Sequence, residues 1–317
     1  GFRGKEEAGQ HISSYRDSTT GLPVISLYGS RKKPELSQLE DLDVVVFDIQ
    51  DVGVRFYTYI STMHYVMEAC GESDTRFLVL DRPNPNGFYV DGPVLDTAYR
   101  SFVGMHPIPV VHGMTIAELG RMINDQGWLK DGIRCEYEWV ACKNYTHDSL
   151  YHLPVAPSPN LPDMRSIYLY PSLGLLEGTV YNVGRGTETP FQLFGHPDMK
   201  AGEITYIPRA IEGASTSPKY KGQVCQGIDL RKYPLDSLTR QPRLRLQWVR
   251  TALERLPEDD FFVPFFNYLS GNDQLMKQLK QGIPAGKIRE SWQPQLEEFM
   301  QMRKQYLIYE DYTHDRR

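Results

Sequence analysis

Residues 41–63, DLDVVVFDIQDVGVRFYTYISTM, decide how this chain is read. Val44, Val45, Val46 and Phe47 form an unbroken apolar run, the pattern of a strand buried on both faces of a parallel sheet. The run stops at Asp48, Gln50 and Asp51, passes Gly53 and Arg55, and becomes an aromatic helical segment near Phe56. Polar groups at the carboxyl end of a buried strand stand where open α/β sheets bind ligands. The same grammar returns in Phe77-Leu78-Val79-Leu80, which runs into Asp81-Arg82-Pro83-Asn84-Pro85-Asn86-Gly87. Asp48, Asp51 and Asp81 could each cap a loop or pair with Arg55 or Arg82. Two such loops together argue for a site.

Working outward, Val24–Leu27 reads as a short strand and Leu36–Leu42 as helical. A helix is expected over about 56–71 and a strand over 77–80. Pro107–Val111 is extended and leads into His112-Gly113-Met114-Thr115. Thr115 with Glu118 three residues on forms a capping box, opening a helix to about Asn124, and Ile133–Val140 alternates as a strand does. Strands alternating with helices give an α/β fold, here a Rossmann-like, doubly wound, mostly parallel sheet over residues 1–150. Beyond residue 150 the grammar changes. Pro154, Pro157, Pro159 and Pro162 exclude helix and mark a bridge into a smaller α+β domain, 151–317. That domain carries a strand within Gly222–Leu230 and closes with helices near Arg243–Leu256 and Gln293–Tyr306.

Composition removes several function classes. A net charge of −5, with no basic run longer than Arg31-Lys32-Lys33, argues against a nucleic-acid surface. No apolar segment approaches the ~20 residues that span a bilayer. Four cysteines without CxxC spacing, and histidines without ligand spacing, make neither a zinc site nor a disulfide scaffold, although Cys135 and Cys142 could pair. GxGxxG, P-loop, GxSxG and HExxH motifs are all missing, and Gly184-Arg185-Gly186-Thr187 is none of them. No metal or cofactor is expected. The 20 tyrosines outnumber the 13 phenylalanines, and amphipathic rings suit sugar faces as well as cores.

The polar loops supply the candidate residues. In the first two, Asp48, Gln50, Asp51, Arg55 and Tyr57 face Asp81, Arg82, Asn84 and Asn86, whose amides sit on a proline-stiffened turn suited to polyhydroxyl recognition. His112, before a helix N-terminus, suits acid–base work or a substrate hydrogen bond. Ser158 and Asn160 repeat the Asn-Pro logic between the domains. Glu177 ends the apolar run Leu173–Leu176, a candidate for a partly buried carboxylate, with Arg185 as its possible structural partner.

These strings together resemble one family, the exo-β-N-acetylmuramidases of the NamZ type. The resemblance is carried by Gly1-Phe2-Arg3-Gly4, Thr20–Val24 through Gly29, Phe47–Gly53 with Arg55–Tyr59, and Leu80–Gly87. His112–Thr115, Pro157–Leu161, Glu177-Gly178-Thr179 and Gly184–Thr187 complete it, in order along the chain. It implies exo-lytic release of N-acetylmuramic acid from peptidoglycan fragments, in a cleft between a Rossmann-like domain and a smaller companion, by a secreted or periplasmic bacterial protein. It also implies a Pro-Glu-His before Gly1, whose Glu is the proposed catalytic carboxylate, and a first strand upstream. The second carboxyl group is then Glu177, Asp48 or Asp51, or the substrate's own acetamide assists. The lactyl carboxylate needs a cation from Arg3, Arg55, Arg82 or Arg185, at least one of Arg55, Arg82 and Arg185 lining the cleft without an acidic partner. The competing reading is a non-catalytic cell-wall sugar-binding protein on the same scaffold.

Overall fold

A computed structural model of the chain describes residues 13–27, 29, 31–256 and 260–313. Its centre is a parallel three-stranded sheet in the order β3-β4-β7: β3 (Val44–Phe47), β4 (Arg76–Leu80) and β7 (Tyr137–Val140). Among the described residues the strands ahead of it form a two-residue-per-strand hairpin, β1 (Tyr15–Arg16) with β2 (Pro23–Val24), so the strand expected at 24–27 is shorter and stands apart from the parallel sheet.

Helix α1 (Tyr59–Ser73) links β3 to β4, and α2 (Ile116–Asp125) falls between β4 and β7. Asp74 ends α1 in the left-handed region at φ 57°, a conformation short polar side chains tolerate. At α2 the capping box forms as read: Thr115 Oγ1 accepts from the Glu118 N–H, and Glu118 Oε2 accepts from that of Thr115 at 2.9 Å. Phe47, Phe77 and Val79 point to one face of the sheet and join the apolar sides of α1 and α2 in one core. The other face differs from the reading of β3 as buried on both sides. Val46 is 48% exposed and Val140 54% exposed, because the described helices cover one side only.

A ribbon of β5 (Asp91–Val94) and β6 (Pro109–Val111) continues the first half. The second half holds α3 (Met164–Leu173), then an antiparallel sheet in the order β8-β10-β9: β8 (Leu193–His196), β9 (Ile204–Tyr206) and β10 (Cys225–Asp229). Helices α4 (Leu235–Arg240), α5 (Gln247–Arg255), α6 (Phe265–Ser270), α7 (Gln274–Lys280) and α8 (Ala285–Arg303) follow, and α8 packs on β5. Val52, Val54 and Phe56 share a core with Tyr170, Leu173 and Phe191, so the two halves meet behind the Asp51 loop.

After α8 the chain returns to the first half as a strap. The Ile308 N–H bonds Glu118 Oε1 at 2.9 Å, where His147 Nε2 also bonds at 3.0 Å. Tyr309 donates its hydroxyl to Asp81 Oδ2 at 2.6 Å and accepts the Cys142 N–H at 2.8 Å. Arg303, fully buried, holds the Gly113 carbonyl and pairs with Asp311 at 2.6 Å. All four cysteines, Cys135 and Cys142 included, are free. Among the described residues no group of His, Cys, Asp and Glu could hold a metal ion, and no helix is long and apolar enough to cross a membrane.

Candidate active site

The parallel register that pairs Phe47 with Val79 brings both polar loops to one end of the sheet, and side-chain bonds then knit them together. Gln50 Nε2 donates to the carbonyls of Asp51 (2.7 Å) and Pro83 (3.0 Å). Asn84 Nδ2 reaches the Met114 carbonyl at 2.8 Å, and its Oδ1 accepts the Asn86 N–H at 2.8 Å. Asn86 Nδ2 reaches Val52 O at 2.9 Å. Gly53 makes this possible: at φ +74° it lies against the Asn84 carboxamide, and a Cβ there would fall 2.2 Å from Oδ1. Asn84 and Asn86, expected to bind sugar, are buried and spend their amide nitrogens as struts between loops, while Asn86 Oδ1 has no partner. Asp81 is spent likewise, on the Ala117 N–H (3.0 Å) and the Tyr309 hydroxyl.

The three arginines in the described residues correct the expectation of an unpartnered cation in the cleft. Arg55 has no acidic partner among the described residues, yet it is fully buried and donates to the carbonyls of Pro93 (2.8 Å), Ile108 (2.7 Å) and Leu269 (2.9 Å). Burial draws its pKa down to about 9. It is a bolt between the halves, remote from any ligand's reach. Arg82 pairs with Asp48 at 2.7 Å on the surface, which also leaves Asp48, half exposed, as an ordinary ion-pair member. Arg185 pairs with Glu177 at 2.6 Å. Arg3 lies outside the described residues.

Asp51 differs from the other carboxylates. It is 4% exposed, its Oδ2 accepts the Gly53 N–H at 2.7 Å, and its Oδ1 has no partner. Burial raises its pKa to about 7 against the opposing pull of the Gly53 and Val52 N–H groups. His112 faces it across 3.9 Å, too far for a hydrogen bond. Its Nδ1 accepts the Met114 N–H at 3.2 Å, so the imidazole proton sits on Nε2, which has no acceptor. Burial, then the Arg303 guanidinium, push its pKa down to about 3. His112 is therefore a neutral, weakly basic ring.

An aromatic wall leads from Asp51 toward the second half. Tyr57 packs edge-on against Tyr59 (5.0 Å) and Tyr170 (6.1 Å), Tyr170 against Phe191 (4.8 Å), and the Arg185 guanidinium lies over Phe191 at 5.1 Å. Asp51, Glu177 and Arg185 all act electrostatically on Tyr170. Glu177 sits at the end of a 3-10 turn, Gly174–Gly178, which continues α3, and both members of its pair with Arg185 are about a quarter exposed. The Tyr57 hydroxyl donates to Pro157 O at 2.9 Å, drawing the 157–160 loop to the same wall. There Ser158 accepts the Asn160 N–H, and Asn160 donates to Ala214 O at 2.7 Å. Sequence reasoning missed Tyr59, Tyr170 and the 208–222 segment. Asp163 capping Ser166 was the available signal for the helix that carries Tyr170. A cavity of about 430 Å³ between α8, Tyr89 and Tyr312 shares no lining residue with this wall.

Comparison with known proteins places this geometry in context. The family model for the N-terminal part of exo-β-N-acetylmuramidase NamZ matches residues 1–165, and that for the C-terminal part matches 168–309. The chain is 40% identical to the peptidoglycan β-N-acetylmuramidase NamZ of Bacillus subtilis (strain 168), over 98% of this chain and 78% of that protein. Crystal structures of two DUF1343 family proteins from Bacteroides fragilis NCTC 9343 superpose with TM-scores of 0.89 and 0.74, at 45% and 29% identity. Each covers 93% of this chain and 82% of its own.

Proposed function

The chain belongs to the exo-β-N-acetylmuramidase NamZ family, and from that premise we propose that it is a glycoside hydrolase releasing N-acetylmuramic acid from the non-reducing end of peptidoglycan fragments. The observation that carries the reading to this chain's own residues is the pairing of two unlike carboxyl groups along one tyrosine wall. Asp51 is buried, with an oxygen that has no partner, and keeps its proton up to about pH 7. Glu177 lies against a guanidinium at 2.6 Å. Glycoside hydrolysis needs a group that gives a proton to the leaving oxygen and an anion that supports the oxocarbenium-like transition state. Asp51 takes the first role. Glu177, oriented by Arg185, takes the second, as base, nucleophile or acetamide-orienting group. The half-buried rings of Tyr57 and Tyr59 offer faces for the sugar's C–H surface.

The same reading extends to place and frame. It takes the protein as secreted or periplasmic, where peptidoglycan is. It takes β3-β4-β7 as part of a Rossmann-like, doubly wound sheet, supported by its parallel order and the α1 crossover. The test is incubation of the full-length protein with a muramyl-capped disaccharide, analysed by mass spectrometry. Free N-acetylmuramic acid is the expected product. Binding of the disaccharide without any release would refute hydrolysis and leave a sugar-binding protein.

A further inference from the structure

Lys219 lies in the irregular segment 208–222, far from every motif of the sequence. Its ammonium group donates to the main-chain carbonyls of Glu177 (3.2 Å), Thr179 (2.5 Å) and Tyr181 (3.4 Å). Three N–H donors meet three acceptors, so the group is saturated by the backbone that carries Glu177. The neighbours reinforce the grip. Asn182 Nδ2 bridges the carbonyls of Lys219 (3.0 Å) and Arg185 (3.1 Å), and the Tyr220 hydroxyl donates to Val180 O at 2.7 Å. Gly186, at φ +81°, lets the ring of Pro218 approach to where a Cβ would sit, 2.5 Å away. The same segment accepts the Asn160 amide at Ala214 O (2.7 Å), and the 157–160 loop in turn holds the Tyr57 hydroxyl. One irregular stretch thus bonds both the backbone that carries Glu177 and the loop that holds Tyr57.

We propose that Lys219 is a positioning residue, acting through Glu177 and Arg185: its ammonium folds the 177–181 backbone around itself and so fixes the ion pair against the tyrosine wall. This rests on the reading of Glu177 given above and adds to it a residue that no motif marks. A second consideration is charge. Arg185 and Lys219 both act on the Glu177 carboxylate, Arg185 by direct contact at 2.6 Å and Lys219 through space. Partial burial lowers the proton affinity of the Lys219 amine, Glu177 counters that, and Arg185 adds to it. Lys219 is exposed as a residue, but an ammonium held by three carbonyls gives up rotamer freedom that an unbonded lysine keeps.

The experiment compares the full-length wild type with Lys219→Met and Lys219→Arg, using a nitrophenyl β-N-acetylmuramide well below the melting temperature. Misplacing a reacting group by about 1 Å costs up to ~100-fold in rate. Lys219→Met is therefore expected to lower kcat at least ~10-fold while KM moves less than ~3-fold, and Lys219→Arg to recover most of the loss. Unchanged kcat with a lowered Tm overturns the proposal and returns Lys219 to a purely structural role. If Lys219→Met does not fold, Lys219→Gln decides: its shorter side chain, with two donors, cannot meet the three carbonyls together, and wild-type kcat in that variant overturns the proposal. A wild type that releases no sugar overturns the hydrolase reading, and the proposal with it.

Discussion

Asp51→Asn is the substitution on which the chemical reading turns. The change is nearly isosteric, and the amide can keep the bond from the Gly53 N–H through its oxygen. What it removes is a proton that the folded state holds about three pH units more tightly than an ordinary carboxyl, up to about 7 from 3.8. At ~1.4 kcal/mol per unit, ionising Asp51 in place costs on the order of 4 kcal/mol. The sign follows from linkage. Because the folded pKa is raised, the wild type has its full stability below pH 3.8 and loses it as pH rises, until the loss is complete just above 7. Asn has no such dependence. Urea unfolding at pH 4.5, 6 and 8 should therefore show the difference between Asp51→Asn and wild type shifting in favour of the variant by ~3–4 kcal/mol from the first pH to the last. Activity should move the other way. The variant should lose at least ~100-fold in kcat, and the wild-type rate should fall on an alkaline limb near pH 7, where the donor loses its proton. A stability difference flat across this range would mean that Asp51 is solvated and ionised like any surface carboxylate, and the argument for a proton donor would collapse.

Three further outcomes follow from the same geometry. Glu177→Gln leaves the Arg185 guanidinium without its anion and should cost ~100-fold or more in kcat with a Tm change of a few degrees; an unchanged rate in steady-state assays would make the pair structural. Arg55→Lys cannot reach the carbonyls of Pro93, Ile108 and Leu269 together, so denaturant melts should report a loss of ~3–5 kcal/mol, and a loss under ~1 kcal/mol would show that water replaces the guanidinium freely. Arg82→Ala breaks an exposed pair and should change stability by less than ~1 kcal/mol. Its discrimination between N-acetylmuramic acid and N-acetylglucosamine should also stay as in wild type, and equal binding of the two sugars by the variant would restore Arg82 as the lactyl ligand.

Much of the frame was legible because it is local. A β-branched run followed by an aromatic amphipathic segment specifies strand, loop and helix without help from distant residues, and the capping box at Thr115 formed atom for atom. The roles of the polar residues were not local. Asn84 and Asn86 have the same side chains whether they meet a sugar hydroxyl or a carbonyl of the next loop, and only tertiary placement decides between them. Arg55 could not be assigned from sequence because its acceptors, among them Leu269, come from three distant segments. The strand Val44–Phe47 was read as buried twice over, but hydrophobicity records a tendency, and the described helices line only one face. Lys219 carries no signal in any window, since its partners are main-chain atoms that every residue possesses.

The strap at 306–313, together with the end of α8, has a consequence for the order in which the chain folds. Asp81, Glu118 and Gly113 belong to the first half of the chain, yet each is bonded by Arg303, Ile308 or Tyr309. A half that folds early can complete its secondary structure, but here Gly113 and Glu118 gain donors from residues 190 positions later and Asp81 from one 228 positions later. Until then the loops are held by the bonds of their own half, those of Gln50, Asn84 and Asn86, with Asp81 on the Ala117 N–H and Glu118 on Thr115 and His147. The first half thus has its full set of bonds only when residues 303–309 lie back across it.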